Sequence, residues 1–339
     1  MNNYFVLIFF FPYFTLTQTH YIRPVNFFDY YLTFQNQQVY FHLQPYEISN
    51  NYLLEYQNKL FPHHKPIPIV QNPSEIFLID TSTQHLLGHK IINYHPSFFI
   101  LNGMELCHDY LVHNQEYVFN RGIKEIEIFK NATPQSLPPH LFYKNKPKIT
   151  YSDKVCYLDF SKIKPGDVLR ICSEQDSIFI PVMSEKYPDL TLRDSIEAMV
   201  YILTKSEYRF LKKVNKKSYL NFVWSGFDEE NQMNLKELYF KRVYEANIFF
   251  TELWEGWKTE RGMIYIIFGK PSAIVIYDGY EDWFYERTQL NDRPVYFRFK
   301  LHHTFPYKTE YILERKPEYY DIWNDAIDAW RHGLIIKEK

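Results

Sequence analysis

The period of the apolar residues turns from strand-like to helical near Pro181, and this limits the fold more than any single motif. Upstream, apolar residues alternate: Val39, Phe41 and Leu43 in QQVYFHLQP, then Ile126 and Ile128 in KEIEIFKN. KVCYLDF and DSIFIPV continue the theme, with KPGD, residues 164–167, as a turn. A period of two marks a strand with one buried face, and short strands broken by Pro, Asn and Gly predict an antiparallel sandwich-like domain. The run NPSEIFLIDTSTQHLLGHKIINYHP is open between strands and other structure.

From Ser184 the spacing becomes helical. Thr191 is placed to cap a helix with Asp194 three residues on, followed by Ile196, Met199, Val200 and Leu203. Ser206 is the expected cap of a short second helix in SEYRFLKKV. Leu235, Leu238, Tyr239, Val243, Ala246, Phe250 and Leu253 form one stripe of a longer helix that runs to Gly256. GMIYIIFG, EDWFYE, VYFRFKL and TEYILERK read as strands, the first a central one because it is apolar on both faces. Trp323, Ala326, Ile327 and Trp330 define a last helix, stopped by Gly333. The expected fold class is α+β: a β-rich, sandwich-like domain over residues 20–182, then an α+β domain over 187–335 with helices on a small, mostly antiparallel sheet. All 6 tryptophans fall in the second part, which therefore has one well-specified core.

The N-terminal run Tyr4 to Thr17 is almost wholly apolar. It is shorter than the roughly 20 residues of a membrane span and matches the apolar core of a secretory signal. Residues 1–19 are thus expected to be a removed signal, and the chain an exported, periplasmic or envelope-associated protein; the competing reading is a core strand. Cys156 and Cys172 either pair as a disulfide in an exported chain or remain buried thiols, and Cys107 is left over. A net charge of −2 with both signs interspersed lacks the basic face of a nucleic-acid binder. A high aromatic share, with 30 Tyr and 29 Phe, is read as a bias of genome composition.

Glycine is scarce, 10 in 339 residues, yet three fall in GWKTERGMIYIIFGKP. Gly256 is expected to end the preceding helix with positive φ. Trp257 needs a buried pocket, Lys258-Thr259-Glu260-Arg261 forms a polar elbow, and Gly262 turns the chain into the strand Met263 to Phe268. The ordered set GWKTERG, IYIIFGKP, EDWFYE, with RVYEANIFFT upstream and YILERKPEYYDIWNDAIDAWRHG downstream, resembles the GWxTD domain. That family occurs chiefly in bacterial envelope-associated proteins. The resemblance covers about Tyr187 to Gly333 and implies α+β structure, frequent export and no settled biochemical function. The family's Asp is Glu260 here, a longer side chain better suited to a salt bridge or cap than to tightly placed catalysis.

An enzymatic reading gathers Lys258, Glu260, Arg261, Glu281, Asp282 and Tyr285 for acid–base work. The architectural reading has Arg261 pairing with Glu260 or Glu281 beneath Trp257 and Trp283, with Arg242 and Asn247 joining the network, and it weighs more. No catalytic residue, metal or cofactor is therefore assigned. The expected interaction set is Gly256, Trp257, Thr259, Glu260, Arg261, Gly262, Glu281, Trp283 and Tyr285, with another envelope protein as partner. His85 and His89 have i, i+4 spacing but lack the Glu of an H-E-x-x-H motif. Asn131-Ala132-Thr133 is a formal glycosylation sequon.

Overall fold

A computed structural model describes residues 20–44, 52–70, 74–83, 85–92, 100–103, 105–107, 110–119, 125–129, 149–152, 155–158, 160–172, 177–227, 234–286, 294–305 and 308–334. The expected signal segment and the sequon lie outside these residues.

The described residues between 28 and 183 form short strands in mostly antiparallel sheets. The alternation in QQVYFHLQP places Val39, Phe41 and Leu43 inward on the strand Gln38–Gln44. That strand pairs with Asp29–Gln35 through Asn36-Gln37, both at positive φ, a two-residue hairpin turn. Gln57-Asn58 repeats the device between Tyr52–Tyr56 and Lys59–Pro62. The undecided run resolves into the hairpin Ser74–Asp80 and Leu86–Ile92. Two separate apolar cores result. One gathers Leu32, Phe41, Leu54, Ile76 and Leu78; the other gathers Ile100, Leu111, Ile126, Leu169 and Val182. Cys107 and Cys172 are free thiols.

Among the described residues six α-helices follow from Leu192: α1 (Leu192–Ala198), α2 (Lys205–Val214), α3 (Lys217–Phe227), α4 (Leu235–Phe249), α5 (Glu260–Phe268) and α6 (Tyr319–Arg331). Thr191 and Asp194 form the expected capping box of α1. Thr204, not Ser206, caps α2, because Glu207 three residues on completes a second box. The stripe Leu235, Tyr239, Val243 and Ala246 is fully buried, but α4 ends at Phe249, well before Gly256. Gly333 at φ 68° closes α6, where the Leu334 N–H reaches the Ala329 carbonyl at 2.9 Å.

The segment expected as a central strand is instead α5. A continuous apolar run does not distinguish a buried strand from a buried helix by period. Here the cap decides: Thr259 Oγ1 accepts from the Gly262 N–H at 3.0 Å, and Ile264, Tyr265, Ile266 and Ile267 are all buried. The sheet below lacks that strand but gains two that were not expected, His20–Ile22 and Ala273–Tyr277, and runs in the order His20–Ile22, Ala273–Tyr277, Tyr280–Tyr285, Val295–Phe305 and Lys308–Leu313, all antiparallel. Among the described residues no helix is long and apolar enough to cross a membrane.

The first strand of this sheet comes from the far end of the sequence. Ile22 faces Ile274, Tyr21 faces Val275 and His20 faces Ile276. Ile22 and Val25 are buried in the helical core, and the Phe27 ring lies 4.9 Å from Phe250 and 5.4 Å from Trp283. Residues 20–27 therefore pack as part of the α+β unit. A fragment spanning 187–335 alone leaves that sheet edge and aromatic pocket open. Its unfolding midpoint in denaturant is expected to fall below that of a version joined to residues 20–28, and a synthetic peptide of residues 20–28 is expected to raise it in trans.

Candidate functional site

The GWKTERG segment is organised by backbone contact. A Cβ on Gly256 would lie 1.8 Å from the Ala246 carbonyl oxygen, and one on Gly262 would lie 1.8 Å from the Gly256 carbonyl oxygen. Neither glycine has positive φ. Their role is close approach: α4, the turn Gly256–Lys258 and the start of α5 stack with no room for side chains. Asn247 fixes the same junction from α4. Its Oδ1 accepts from the Trp257 N–H at 3.2 Å and its Nδ2 donates to the Pro188 carbonyl at 3.1 Å. Tyr187 donates to the Asn247 carbonyl at 3.1 Å. Trp257 is 5% exposed, with Lys258 Nζ 5.0 Å from its ring centre and Tyr201 donating to its carbonyl at 2.7 Å.

The expected acid–base group is dispersed. Lys258 pairs with Glu255. Glu260 accepts from the Leu313 N–H and from Arg315. This ties the first turn of α5 to the last strand, and puts an anion where the helix dipole favours one. Asp282 holds Arg298 through two contacts of 2.7 and 2.8 Å. Tyr285 donates to the Gly269 carbonyl at 3.0 Å in the core. Arg242 donates to the Ile266 and Ile267 carbonyls at 3.3 Å and so serves the C-terminal end of α5.

Arg261 does meet Glu281, at 3.5 Å, but its shorter contact of 2.9 Å is to Glu252. Tyr311 lies under the guanidinium at 3.7 Å from ring centre, and Trp283 Nε1 donates to Glu281 at 2.8 Å. Both carboxylates are buried, while the Arg261 side chain keeps 17% exposure. Burial lifts the Glu252 carboxyl to about 7, with Arg261 opposing and Glu310 adding to the rise. Burial likewise raises the Tyr311 phenol, with Glu281 adding to it.

This cluster forms one wall of a cleft of about 480 Å³ between the β-rich part and the α+β part. Asp29, Tyr30, Tyr31, Lys90, Asn102, Tyr110 and Tyr244 also line it. Lys90 reaches across to the Phe249 carbonyl at 3.0 Å, so a donor from the β-rich part serves the end of α4. Cys107 lines the cleft too, but burial first and Glu105 second push its thiol to about 12, away from nucleophilic use at neutral pH. Among the described residues no group of three or more His, Cys, Asp or Glu is placed to hold a metal ion. His89 instead packs on Phe77 at 4.8 Å and lies 3.6 Å from Glu75.

A match to the GWxTD domain family spans residues 169–332, just under half of the 339. Residues 169–332 form a GWxTD domain. The match begins within the strand Val168–Cys172, upstream of the helices. No curated protein and no solved structure matches the chain.

Of the expected interaction residues, the structure joins Arg261, Glu281 and Trp283 in one cluster and Gly256, Trp257, Thr259 and Gly262 in the adjoining turn. It places Glu260 and Tyr285 elsewhere. Sequence reasoning missed Glu252, Tyr311 and Lys90. A trace of the first existed: a lone carboxylate inside the apolar run FFTELW signals a buried charge needing a partner.

Gly262→Ala is expected to cost more than about 4 kcal/mol, because the contacted atom is backbone. Trp257→Ala should cost about 3–5 kcal/mol, and Thr259→Val about 1 kcal/mol through the lost cap. Denaturant titration of the three ranks them. Glu252 generates a pH prediction as well. Its folded pKa lies above the open-chain value of 4.5, so its contribution to stability is full below 4.5 and declines as pH rises through about 7. Unfolding free energies of Glu252→Gln should lack that decline relative to the parent chain.

Proposed function

We propose that this chain is an exported, envelope-associated binding or scaffold protein whose cleft receives part of a partner. The observation that supports this most is how the motif's polar groups are used. Lys258, Glu260 and Asp282 are spent on internal pairs away from the cleft, and Arg261 is clamped between two buried carboxylates. The motif thus shapes one wall of a polar, tyrosine-rich recess, which is the form of a recognition site. The export part of the reading rests on the apolar run Tyr4 to Thr17.

A second reading, hydrolase-like acid–base chemistry, is favoured by one feature: Glu252, close to neutral pKa, and Glu281 both line the cleft. In this form it replaces Glu260 and Lys258 with Glu252, while Arg261 and Glu281 remain. Glu252→Gln separates the readings. A binding protein retains most function in a cellular complementation assay, because the amide still accepts from Arg261; an acid–base enzyme loses it while folding normally.

Two measurements test the proposal itself. A photo-crosslinking residue in place of Tyr31, at the cleft, is expected to capture an envelope component, whereas one in place of Tyr320, 72% exposed elsewhere, is not. Equal yield from both positions, or none from Tyr31, would count against it. N-terminal sequencing of the mature protein is expected to begin close to His20; an intact Met1 on soluble cytoplasmic protein removes the export part.

A further inference from the structure

The α2–α3 hairpin carries a charge and an apolar surface that the fold does not use. From Lys205 to Phe222 the sequence holds six basic residues, Lys205, Arg209, Lys212, Lys213, Lys216 and Lys217, against one acid, Glu207, in a chain of net charge −2. Glu207 is engaged by Arg331 at 2.9 Å, and Lys212 lies 3.4 Å from Glu197. The other five cations make no ion pair among the described residues.

Helix chemistry accounts for only part of this. Lys212 and Lys213 sit in the last turn of α2, where the dipole favours cations. Asn215, at φ 48°, then reverses the chain, and Lys216 and Lys217 open α3, where the same dipole disfavours them. The next acidic residues in the chain, Asp228 to Glu230, follow the far end of α3.

Apolar surface lies beside these charges. Leu220, Trp224 and Phe227 form the buried stripe of α3, and Tyr219 and Phe222 point the other way. Phe222 is 75% exposed and Phe210 of α2 is 50% exposed. Phe210 and Tyr219 meet edge to face at 5.4 Å, which joins the two helices into one aromatic patch. Exposed Phe side chains gain nothing from water, whereas a bilayer interface accepts aromatic rings at its acyl boundary and cations at its headgroups.

We propose that the α2–α3 hairpin is a docking surface for an anionic lipid bilayer, with Phe210, Tyr219 and Phe222 entering the interface and the exposed Lys and Arg side chains of the hairpin meeting lipid phosphates. Such a contact is peripheral and reversible, since two short helices bury little apolar area. It is independent of the cleft and of what the cleft binds.

The test uses residues 20–339 and vesicles of phosphatidylcholine with or without phosphatidylglycerol, read by co-sedimentation. Binding is expected only to the vesicles with phosphatidylglycerol, and to weaken as salt is raised. Lys213→Glu with Lys217→Glu should lower the association constant at least about tenfold, and Phe222→Ser several-fold. Both variants should keep the parent melting temperature, because these side chains are exposed. Equal binding to both vesicle types, no binding to either, or unchanged binding by Phe222→Ser would each overturn the proposal. So would tighter binding to duplex DNA than to the anionic vesicles.

Discussion

The contact on which the α+β part depends is backbone against backbone. Where Gly256 passes Ala246 and Gly262 passes Gly256, three chain segments approach more closely than any side chain permits. This fixes the angle at which α5 leaves α4 without any appeal to flexibility. The side-chain bonds around it then follow: Asn247 spans to Trp257 and Pro188, Thr259 caps α5, and Tyr201 secures the carbonyl of Trp257. Interiors are close-packed and do not yield to an added methyl. Gly256 and Gly262 are therefore a steric requirement, and Trp257 and Thr259 serve the same junction.

The chemistry of the cleft wall is set by how α4 ends. The chain leaves helix at Phe249, and the segment to Glu255 loops out before returning at Gly256. That loop swings Glu252 over Arg261, while Leu253 and Trp254 cover Val168 of the β-rich part. One irregular segment thus does two things: it joins the two parts through apolar contact and it buries a carboxylate against a guanidinium. A buried ion pair contributes little net stability once desolvation is counted, though removing one partner is costly. Its effect here is positional, since it holds Tyr311 and Glu281 in a single arrangement on the cleft.

Much of this was legible in the sequence, and the failures share a cause. Alternation gave the strands around Val39 and Ile126, and helical spacing gave α1 and α6, because one face of each is polar and the contrast shows; α4 was legible from its stripe Leu235, Tyr239, Val243 and Ala246 alone, since Arg242, Glu245 and Asn247 are buried as well. The contrast vanishes in Ile264 to Ile267, all four buried, so period carried no information and β-branched Ile264, Ile266 and Ile267 pointed to a strand. The Thr259 cap was the better signal. The Arg261–Glu281 pair was within reach because a buried arginine needs a carboxylate. Glu252 was not assigned to it, because the stripe of α4 was extended through Leu253. The origin of one sheet edge in residues 20–22 had no local sign at all, since strand pairing across more than 250 positions leaves no trace in either segment.

That edge has a consequence for the order of assembly. Ile22 is made early and its partner Ile274 late. As the chain emerges N-terminus first, the first strand precedes the strand it must pair with by more than 250 residues. The β-rich cores of residues 28–183 lie between and have their own contacts, so they form while that strand is still without its neighbour. The α+β unit is then closed last, around a segment already held in place by its attachment to the finished β-rich part. Loop closure over so long a stretch of free chain would be slow. Prior folding of the intervening residues shortens the effective distance, and makes the β-rich part a template on which the GWxTD domain is completed.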